Sequence, residues 1–108
     1  MIHAKFIKKN KVIVAFELQG HAESGDFGHD LVCAAVSALT INTVNSIEKL
    51  LKVKLTVFED QLAGGFLKVE IPVSKVSDSK VQLLIASLQL GLQSIAKEEN
   101  YRDYITIG

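Results

Sequence analysis

The chain has 108 residues, of which 48% are hydrophobic and 22% are charged, and its twelve Lys and Arg balance twelve Asp and Glu. This length and composition predict a single folded domain over residues 1–108 and exclude a disordered chain. The zero net charge provides no overall field that would draw the chain to nucleic acid or to an anionic membrane, so we expect no direct nucleic-acid or membrane partner.

The N-terminal segment and the single cysteine indicate a cytoplasmic protein. Apolar and polar residues alternate from the first residues and no long apolar stretch follows, so no signal peptide is expected. The longest stretch without a charged residue, 31–47, contains six Ser, Thr and Asn side chains, which argues against a membrane span. One cysteine cannot form an internal disulfide, and the default compartment is then the reducing cytoplasm.

Two segments with alternating apolar and polar side chains predict a β-hairpin at the start of the chain. Residues 2–6 and residues 12–18 both carry apolar side chains at every second position. This is the period of a strand with one buried face. Residues 8–10 are predicted to form the turn, and Gly20 is predicted to end the second strand.

A long helix is predicted to follow this hairpin. Asp30 is the best helix start, because its carboxylate can accept hydrogen bonds from the backbone N–H groups of Val32 and Cys33. The helix is expected to run to about Lys52. Its first half is apolar on nearly all sides and rich in small residues, which indicates a helix that packs into a core from several directions.

The middle of the chain predicts a second hairpin. Residues 53–57 alternate as a strand, residues 59–65 turn the chain, and residues 66–71 return as a fourth strand. Pro72 closes this hairpin, because proline cannot donate a hydrogen bond to a strand ladder.

A second helix and a short strand complete the predicted fold. Ser77 or Asp78 caps a helix whose apolar residues keep a spacing of three and four, and Gly91 within this helix indicates close helix packing. Residues 104–107 are expected to add a short fifth strand. The order β-β-α-β-β-α predicts the α+β class, with a mostly antiparallel sheet and two helices packed on it.

The segment 20–39 contains two histidines, His21 and His29, and the only cysteine of the chain. His21 can exchange a proton near neutral pH, and Cys33 is a nucleophile when it is held as a thiolate. With Asp30 as the cap, Cys33 would lie in the first helical turn, where free N–H groups favour a negative sulfur and can hold an oxyanion. The helix dipole contributes about 0.3–1 kcal/mol, less than the roughly 1.36 kcal/mol of one pKa unit, so an imidazolium beside the sulfur must supply the rest. These residues indicate a Cys-His acyl-transfer site.

Two other interpretations of this segment remain open. A lone cysteine among small apolar residues is most often buried and inert, and single histidines such as His21 and His29 are most often solvated or capping groups. In the other interpretation this is a metal site, for which the available ligands are His21, Asp26, His29, Asp30 and Cys33. No second cysteine or paired ligand spacing supports a structural zinc, so we expect neither a metal nor another cofactor.

The residues around the histidine and the cysteine also carry a family resemblance. They read Gly20-His21-Ala22, then a glycine-containing loop that ends in His29-Asp30, then Val-Cys-Ala-Ala-Val-Ser-Ala at 32–38. Together with the spacing of twelve between His21 and Cys33, this pattern resembles the signature of the ribosomal-processing cysteine protease family, Prp. The chain length and the order of strands and helices also fit this family.

The resemblance implies a specific proteolytic function. Members of the family are cytoplasmic bacterial endopeptidases that remove a short N-terminal extension from ribosomal protein twenty-seven of the large subunit, as a step of ribosome maturation. The cleavage motif of that extension is apolar and aromatic and is followed by a basic sequence. The family also forms homodimers, so the resemblance predicts a homodimer whose substrate is the N-terminal extension of that ribosomal protein.

The resemblance also assigns the site residues. The family's nucleophile is the cysteine of the Val-Cys-Ala segment and its base is the histidine of Gly-His-Ala, which correspond to Cys33 and His21. Asp30 and Ser37 match further motif positions and are predicted to support the site, Asp30 by capping or orienting and Ser37 by hydrogen bonding. The predicted substrate-binding loop contains Gly20, Ala22, Gly25, Phe27, Gly28 and His29.

Residues 22–29 are predicted to form a mobile lid that becomes ordered only over substrate. Glycines, acidic side chains and a single aromatic residue, Phe27, leave this segment with few apolar anchors. His21 lies just before the lid and Cys33 just after it. The position of the lid is therefore expected to set the distance between the base and the nucleophile.

A function without catalysis is the competing prediction. In that case the chain would be a ribosome-associated or RNA-binding module, and its cysteine would be incidental. Fast alkylation of Cys33 at slightly acidic pH would favour the enzyme, whereas an unreactive thiol would favour the binding module.

Overall fold

The computed structural model describes residues 1–21 and 25–108, which form a five-stranded sheet and two long helices. The strands are β1 (Ile2–Lys9), β2 (Val12–Gln19), β3 (Thr56–Asp60), β4 (Phe66–Glu70) and β5 (Ile105–Ile107). The long helices are α1 (Phe27–Leu50) and α2 (Ser79–Lys97), and short 3₁₀ helices lie at Leu62–Gly64, Val73–Lys75 and Arg102–Tyr104. The order of elements confirms the predicted α+β class and the predicted fifth strand.

The sheet is open and mostly antiparallel, with the strand order β3-β4-β2-β1-β5. The predicted first hairpin is present, with Phe6 opposite Phe16, and Asn10 and Lys11 at its turn both have positive φ angles, as in a type I′ turn. Strand β4 pairs with β2 and with β3, whereas β5 runs parallel to β1. The two chain ends therefore meet on neighbouring strands.

The core lies between one face of the sheet and the two helices. Phe16 and Ile2 contribute the largest buried side chains from the sheet. The buried side of α2 is a regular apolar stripe, formed by Val81, Ile85, Leu88 and Leu92. The buried side of α1 is mixed, because it includes polar residues as well as aliphatic ones: His29, Val32, Cys33, Val36, Thr40, Thr43 and Ile47.

Helix α2 starts at one of its two predicted caps. Asp78 is the N-cap, and its Oδ1 accepts hydrogen bonds from the backbone N–H groups of Lys80 and Val81 at 2.8 and 3.2 Å. A Cβ at Gly91 would lie 3.2 Å from Leu39 Cδ1 of α1. The predicted close helix packing at this glycine is therefore confirmed.

The third strand starts later than predicted. Val53 and Leu55 are buried as the alternation suggested, but they precede β3, which begins at Thr56. The Val53 N–H donates to the Ile47 carbonyl, and the Leu55 N–H donates to Glu48 Oε2. This segment therefore hydrogen-bonds back to the end of α1 instead of joining the sheet.

Helix α1 is less enclosed than predicted and ends at Leu50, before the expected Lys52. Lys52 has a φ of 58° and so turns the chain out of the helix. The outward face carries exposed apolar side chains, among them Leu31 at 42% and Ile41 at 59% exposure. By length and composition alone α1 is apolar enough to cross a membrane, but here it packs on the sheet and on α2, and core helices also pass that test.

Candidate active site

Helix α1 begins earlier than the sequence predicted. Asp26 Oδ1 accepts a hydrogen bond from the His29 backbone N–H at 2.9 Å, so Asp26 is the N-cap and the prediction of Asp30 was wrong. With Phe27 as the first helical residue, Cys33 lies in the second turn. The free N–H groups of the first turn therefore do not include that of Cys33, and the argument from the helix dipole and the oxyanion does not hold at this position.

The sulfur of Cys33 is in contact with the imidazole of His29, one turn earlier on α1. Cys33 Sγ lies 3.6 Å from His29 Nδ1 and 3.8 Å from His29 Nε2. A sulfur aligned with the lone pair or N–H bond of one ring nitrogen would lie much farther from the other nitrogen. The nearly equal distances therefore show that the sulfur is aligned with neither nitrogen. His29 therefore touches the thiol in a geometry that is poor for accepting its proton.

The side chain of Asp30, in the first turn of α1, contacts the segment that precedes the helix. Asp30 Oδ1 accepts a hydrogen bond from the Gly25 N–H at 3.2 Å and lies 3.8 Å from His29 Nδ1. The carboxylate is 59% exposed, so this ion pair contributes little to stability even when the imidazole is protonated. A Cβ at Gly25 would lie 2.8 Å from the His29 ring, so this close approach requires glycine.

Tyr104 is a site residue that the sequence did not predict. Its ring lies edge-on to that of His29, with centroids 6.1 Å apart, and its hydroxyl donates a long hydrogen bond to Asp26 Oδ2 at 3.3 Å. A Cβ at Gly28 would lie 2.9 Å from this hydroxyl. The carboxylate of Asp26 raises the pKa of Tyr104, because it disfavours the phenolate. No local pattern relates Tyr104 to residues so distant in the sequence, and only folding brings them together.

His21 lines a cavity that is also lined by residues of α1 beyond Cys33. A cavity of about 240 Å³, here called the His21 cavity, is lined by Leu18, His21, Ser37, Thr40, Ile41, Glu59, Gln61 and Leu67. His21 Nδ1 is buried and has no hydrogen-bond partner among the described residues. Glu59 and Gln61 are site residues that the sequence did not predict.

One face of α1 connects the two groups. His29, Cys33 and Ser37 follow one another at a spacing of four residues and so lie on one side of the helix. Ser37 lines the His21 cavity, whereas Cys33 contacts His29. The predicted base and nucleophile are therefore associated with adjacent turns of one helix face.

The predicted substrate-binding loop is only partly a loop. Phe27, Gly28 and His29 form the first turn of α1, and the side chain of Phe27 is 82% exposed. Gly20 has a φ of 82°, and its N–H donates to the Gly65 carbonyl. Ala22 lies outside the described residues, as do residues 23 and 24 of the predicted lid.

The described residues do not assemble the metal site that was the alternative interpretation. Residues 1–21 and 25–108 contain no group of three or more His, Cys, Asp and Glu side chains placed to hold a metal ion. His21 lines a cavity to which the other four proposed ligands do not contribute.

Comparison with known proteins gives the same family as the signature. The family model described as Cysteine protease Prp matches residues 1–106. The ribosomal processing cysteine protease Prp of Bacillus subtilis is 35% identical over 102 residues, which covers 91% of this chain and 87% of that protein. The protein of the same name from Staphylococcus aureus is 32% identical over 83 residues, or 77% of this chain and 76% of that one.

Solved structures have the same fold over the full chain. The crystal structure of SMU.848 from Streptococcus mutans is 40% identical, with a TM-score of 0.91 over 99% of this chain and 95% of that chain. The S. aureus ribosomal processing protease Prp in complex with a substrate peptide is 26% identical, with a TM-score of 0.86 over 100% of this chain and 98% of that one. The same protease with a covalently linked product peptide gives a TM-score of 0.81 at 27% identity, over the same shares. With the family model, the relatives and the fold in agreement, this chain belongs to the Prp family of cysteine proteases.

Proposed function

We propose that this cysteine protease is an endopeptidase that removes the short N-terminal extension of ribosomal protein twenty-seven of the large subunit. In this proposal Cys33 is the nucleophile, His21 is the base, and Asp30 and Ser37 support them. The observation that carries the proposal is the helix face on which Cys33 and Ser37 lie one turn apart, with Ser37 lining the cavity of His21. The relatives in B. subtilis and S. aureus are named as ribosomal processing proteases, which supports this class of substrate.

The proposed reaction has two covalent steps. His21 accepts the proton of the Cys33 thiol while the sulfur attacks the scissile carbonyl carbon, and a tetrahedral intermediate forms. The C–N bond then breaks, the imidazolium returns the proton to the leaving amine, and the N-terminal part of the substrate remains as a thioester on Cys33. His21 next takes a proton from water, whose oxygen attacks the thioester carbonyl carbon. The C–S bond then breaks, the imidazolium returns the proton to the sulfur, and the product leaves as a carboxylic acid, which ionises in water. The covalently linked product peptide of the S. aureus protease is the kind of species that such a route forms.

We propose that substrate binding aligns the base with the nucleophile. In the structure described here the sulfur contacts the ring of His29, whereas His21 lies at the cavity beside Ser37. Residues 27–29 of the predicted lid belong to α1, so we propose that movement of the segment before Phe27 brings His21 to within roughly 3 Å of the sulfur, the reach of a general base. Phe27, which is largely exposed, is available for an aromatic residue of the substrate.

The assembly and location of the protein belong to the same proposal. We infer a single-domain protein that acts in the cytoplasm as a homodimer. The outward face of α1 supports the dimer, because Leu31 and Ile41 are exposed there on a stretch without charged residues. Sedimentation at tens of micromolar that gave only the 11.8 kDa monomer would contradict this part of the proposal.

A synthetic peptide that spans the ribosomal N-terminal extension tests the reaction. We expect the wild type to cut it at one bond, as seen by mass spectrometry, and Cys33→Ala and His21→Ala to lose cleavage. His3→Ala is the matched control, because His3 is exposed on β1 and bonds to Thr106 on β5, away from α1. An uncut peptide, or a His21→Ala variant with wild-type activity, would overturn the proposed function or the proposed base.

A further inference from the structure

The side chain of Glu59 faces the helices although it lies on an edge strand. The strand pairing places Leu18 opposite Leu67, and Leu67 opposite Glu59. Directly paired residues point to the same face of a sheet. Leu18 is buried in the core beneath the helices, so Glu59 also points toward α1, and Asp60, the next residue, points to the opposite face.

The ring of His21 has a buried nitrogen without a partner. Its Nδ1 is inaccessible to solvent and has no hydrogen bond to any described residue. Buried polar groups of folded proteins are nearly always hydrogen-bonded, so such an atom calls for an explanation. Among the described residues that line the His21 cavity, Glu59 is the only one with a charged side chain, and the other polar ones besides His21 are Ser37, Thr40 and Gln61.

We propose that Glu59 is the positioning residue of His21, whose Nδ1–H its carboxylate accepts when substrate covers the His21 cavity. The proposal deepens the proposed function and rests on it, since it takes His21 as the base. With the proton held on Nδ1, the neutral ring presents the lone pair of Nε2 to the thiol of Cys33. The carboxylate also stabilises the imidazolium that forms after proton transfer, which a hydroxyl or an amide does less well.

The exposure of Glu59 agrees with a role that begins on substrate binding. The residue is exposed in the free protein, where water screens its charge. A peptide seated across the cavity would exclude that water and strengthen the interaction between carboxylate and imidazole.

Glu59→Gln is the main test, and Asp60→Asn is its matched control. Both changes remove one charge from neighbouring residues of β3, on opposite faces of the sheet. Asn keeps a side-chain oxygen for the Leu62 N–H, which Asp60 accepts at 2.8 Å. With the ribosomal extension peptide we expect Glu59→Gln to lower kcat by about tenfold or more with little change in KM, and Asp60→Asn to match the wild type.

Two further measurements separate positioning from a structural effect. In the His21→Ala background, Glu59→Gln should cause no further loss, because the residue acts only through His21. Nitrogen-15 NMR of Cys33→Ala bound to the extension peptide should show the His21 proton mainly on Nδ1, and this fraction should fall when Glu59→Ala is added. Melting temperatures of the Glu59 variants should stay near that of the wild type.

The outcomes also separate failure of this proposal from failure of the proposed function. If His21→Ala abolishes cleavage but both Glu59 variants keep the wild-type kcat and tautomer, Glu59 does not position His21. If Glu23→Gln, instead of Glu59→Gln, lowers kcat, a different carboxylate has this role and the proposal is overturned. If the peptide is not cut by any variant, the proposed function fails, whereas the tautomer measurement still tests whether Glu59 bonds to His21.

Discussion

The two long helices of this protein differ in a way that separates scaffold from site. The buried residues of helix α2 are all apolar and keep a three- and four-residue spacing. Helix α1 also buries three polar side chains, those of His29, Thr40 and Thr43. Both helices have an aspartate N-cap. The side chain of Asp78 accepts hydrogen bonds from its own helix, whereas the side chain of Asp26 also accepts one from Tyr104 near the C-terminus.

The buried polar residues of α1 differ in how their side chains are satisfied. The hydroxyls of Thr40 and Thr43 donate to the carbonyls of Val36 and Leu39, so they are satisfied within the helix. The imidazole of His29 instead contacts Cys33, a residue with its own chemistry. A helix that only completes a core can follow the apolar period closely, whereas a helix that carries a site departs from it where reactive side chains are needed.

The largest expected effect on activity is that of Cys33→Ser. The hydroxyl is a far weaker nucleophile than a thiolate, so we expect kcat/KM to fall by roughly 10³-fold or more, with a change of less than about 1 kcal/mol in the free energy of unfolding. Peptide cleavage and urea unfolding measure the two quantities. If Cys33→Ser kept more than a few per cent of the wild-type rate, α1 would not carry the nucleophile.

The largest expected effect on stability is in α2. Leu92 is fully buried, and Leu92→Ala should lower the free energy of unfolding by about 2–5 kcal/mol. Cleavage per folded molecule should stay unchanged, because α2 holds no proposed site residue. Leu90→Ala is the control, since Leu90 is 65% exposed and should lose less than about 0.5 kcal/mol. A loss of activity in folded Leu92→Ala would contradict the division between the helices.

Replacing the N-caps of the two helices should cause smaller losses of stability and activity. Asp78→Ala and Asp26→Ala should each cost about 0.5–2 kcal/mol of stability, as measured by thermal unfolding. Only Asp26→Ala should also lower the cleavage rate, because Asp26 orders the first turn that holds His29 against the sulfur. Equal activity in the two variants would show that the start of α1 is as purely structural as the start of α2.

The smallest expected effect is that of Tyr104→Phe, which keeps the ring beside His29 and removes the bond to Asp26. We expect a slight loss of stability near neutral pH. The pKa of Tyr104 is raised in the folded protein, so the hydroxyl stabilises the fold below its ordinary pKa of 10.0, and this stabilisation is lost as the pH rises through the raised pKa. The difference between wild type and Tyr104→Phe should therefore disappear in strongly alkaline solution. A difference that persisted there would mean that ionisation of the hydroxyl is not what sets it.

Much of the fold could be predicted because local pattern and tertiary packing agree. The first hairpin, the start of α2 near Asp78, and the short final strand all follow from alternation, spacing and capping chemistry. The start of α1 could not be predicted from composition, because Gly25 and Gly28 suggest a loop. Their small size instead admits the rings of His29 and Tyr104, which come close only in the folded chain.

The sequence by itself determined the α+β class, the order of its elements and the signature around His21 and Cys33, because these depend on the period of apolar residues and on motif spacing. Only the tertiary structure decided which groups surround the two residues. Strand pairing placed Glu59 on the helix-facing side of the sheet, at the cavity of His21, and the C-terminal segment brought Tyr104 to Asp26. Such neighbours depend on register and on contacts between distant segments, which no local pattern encodes.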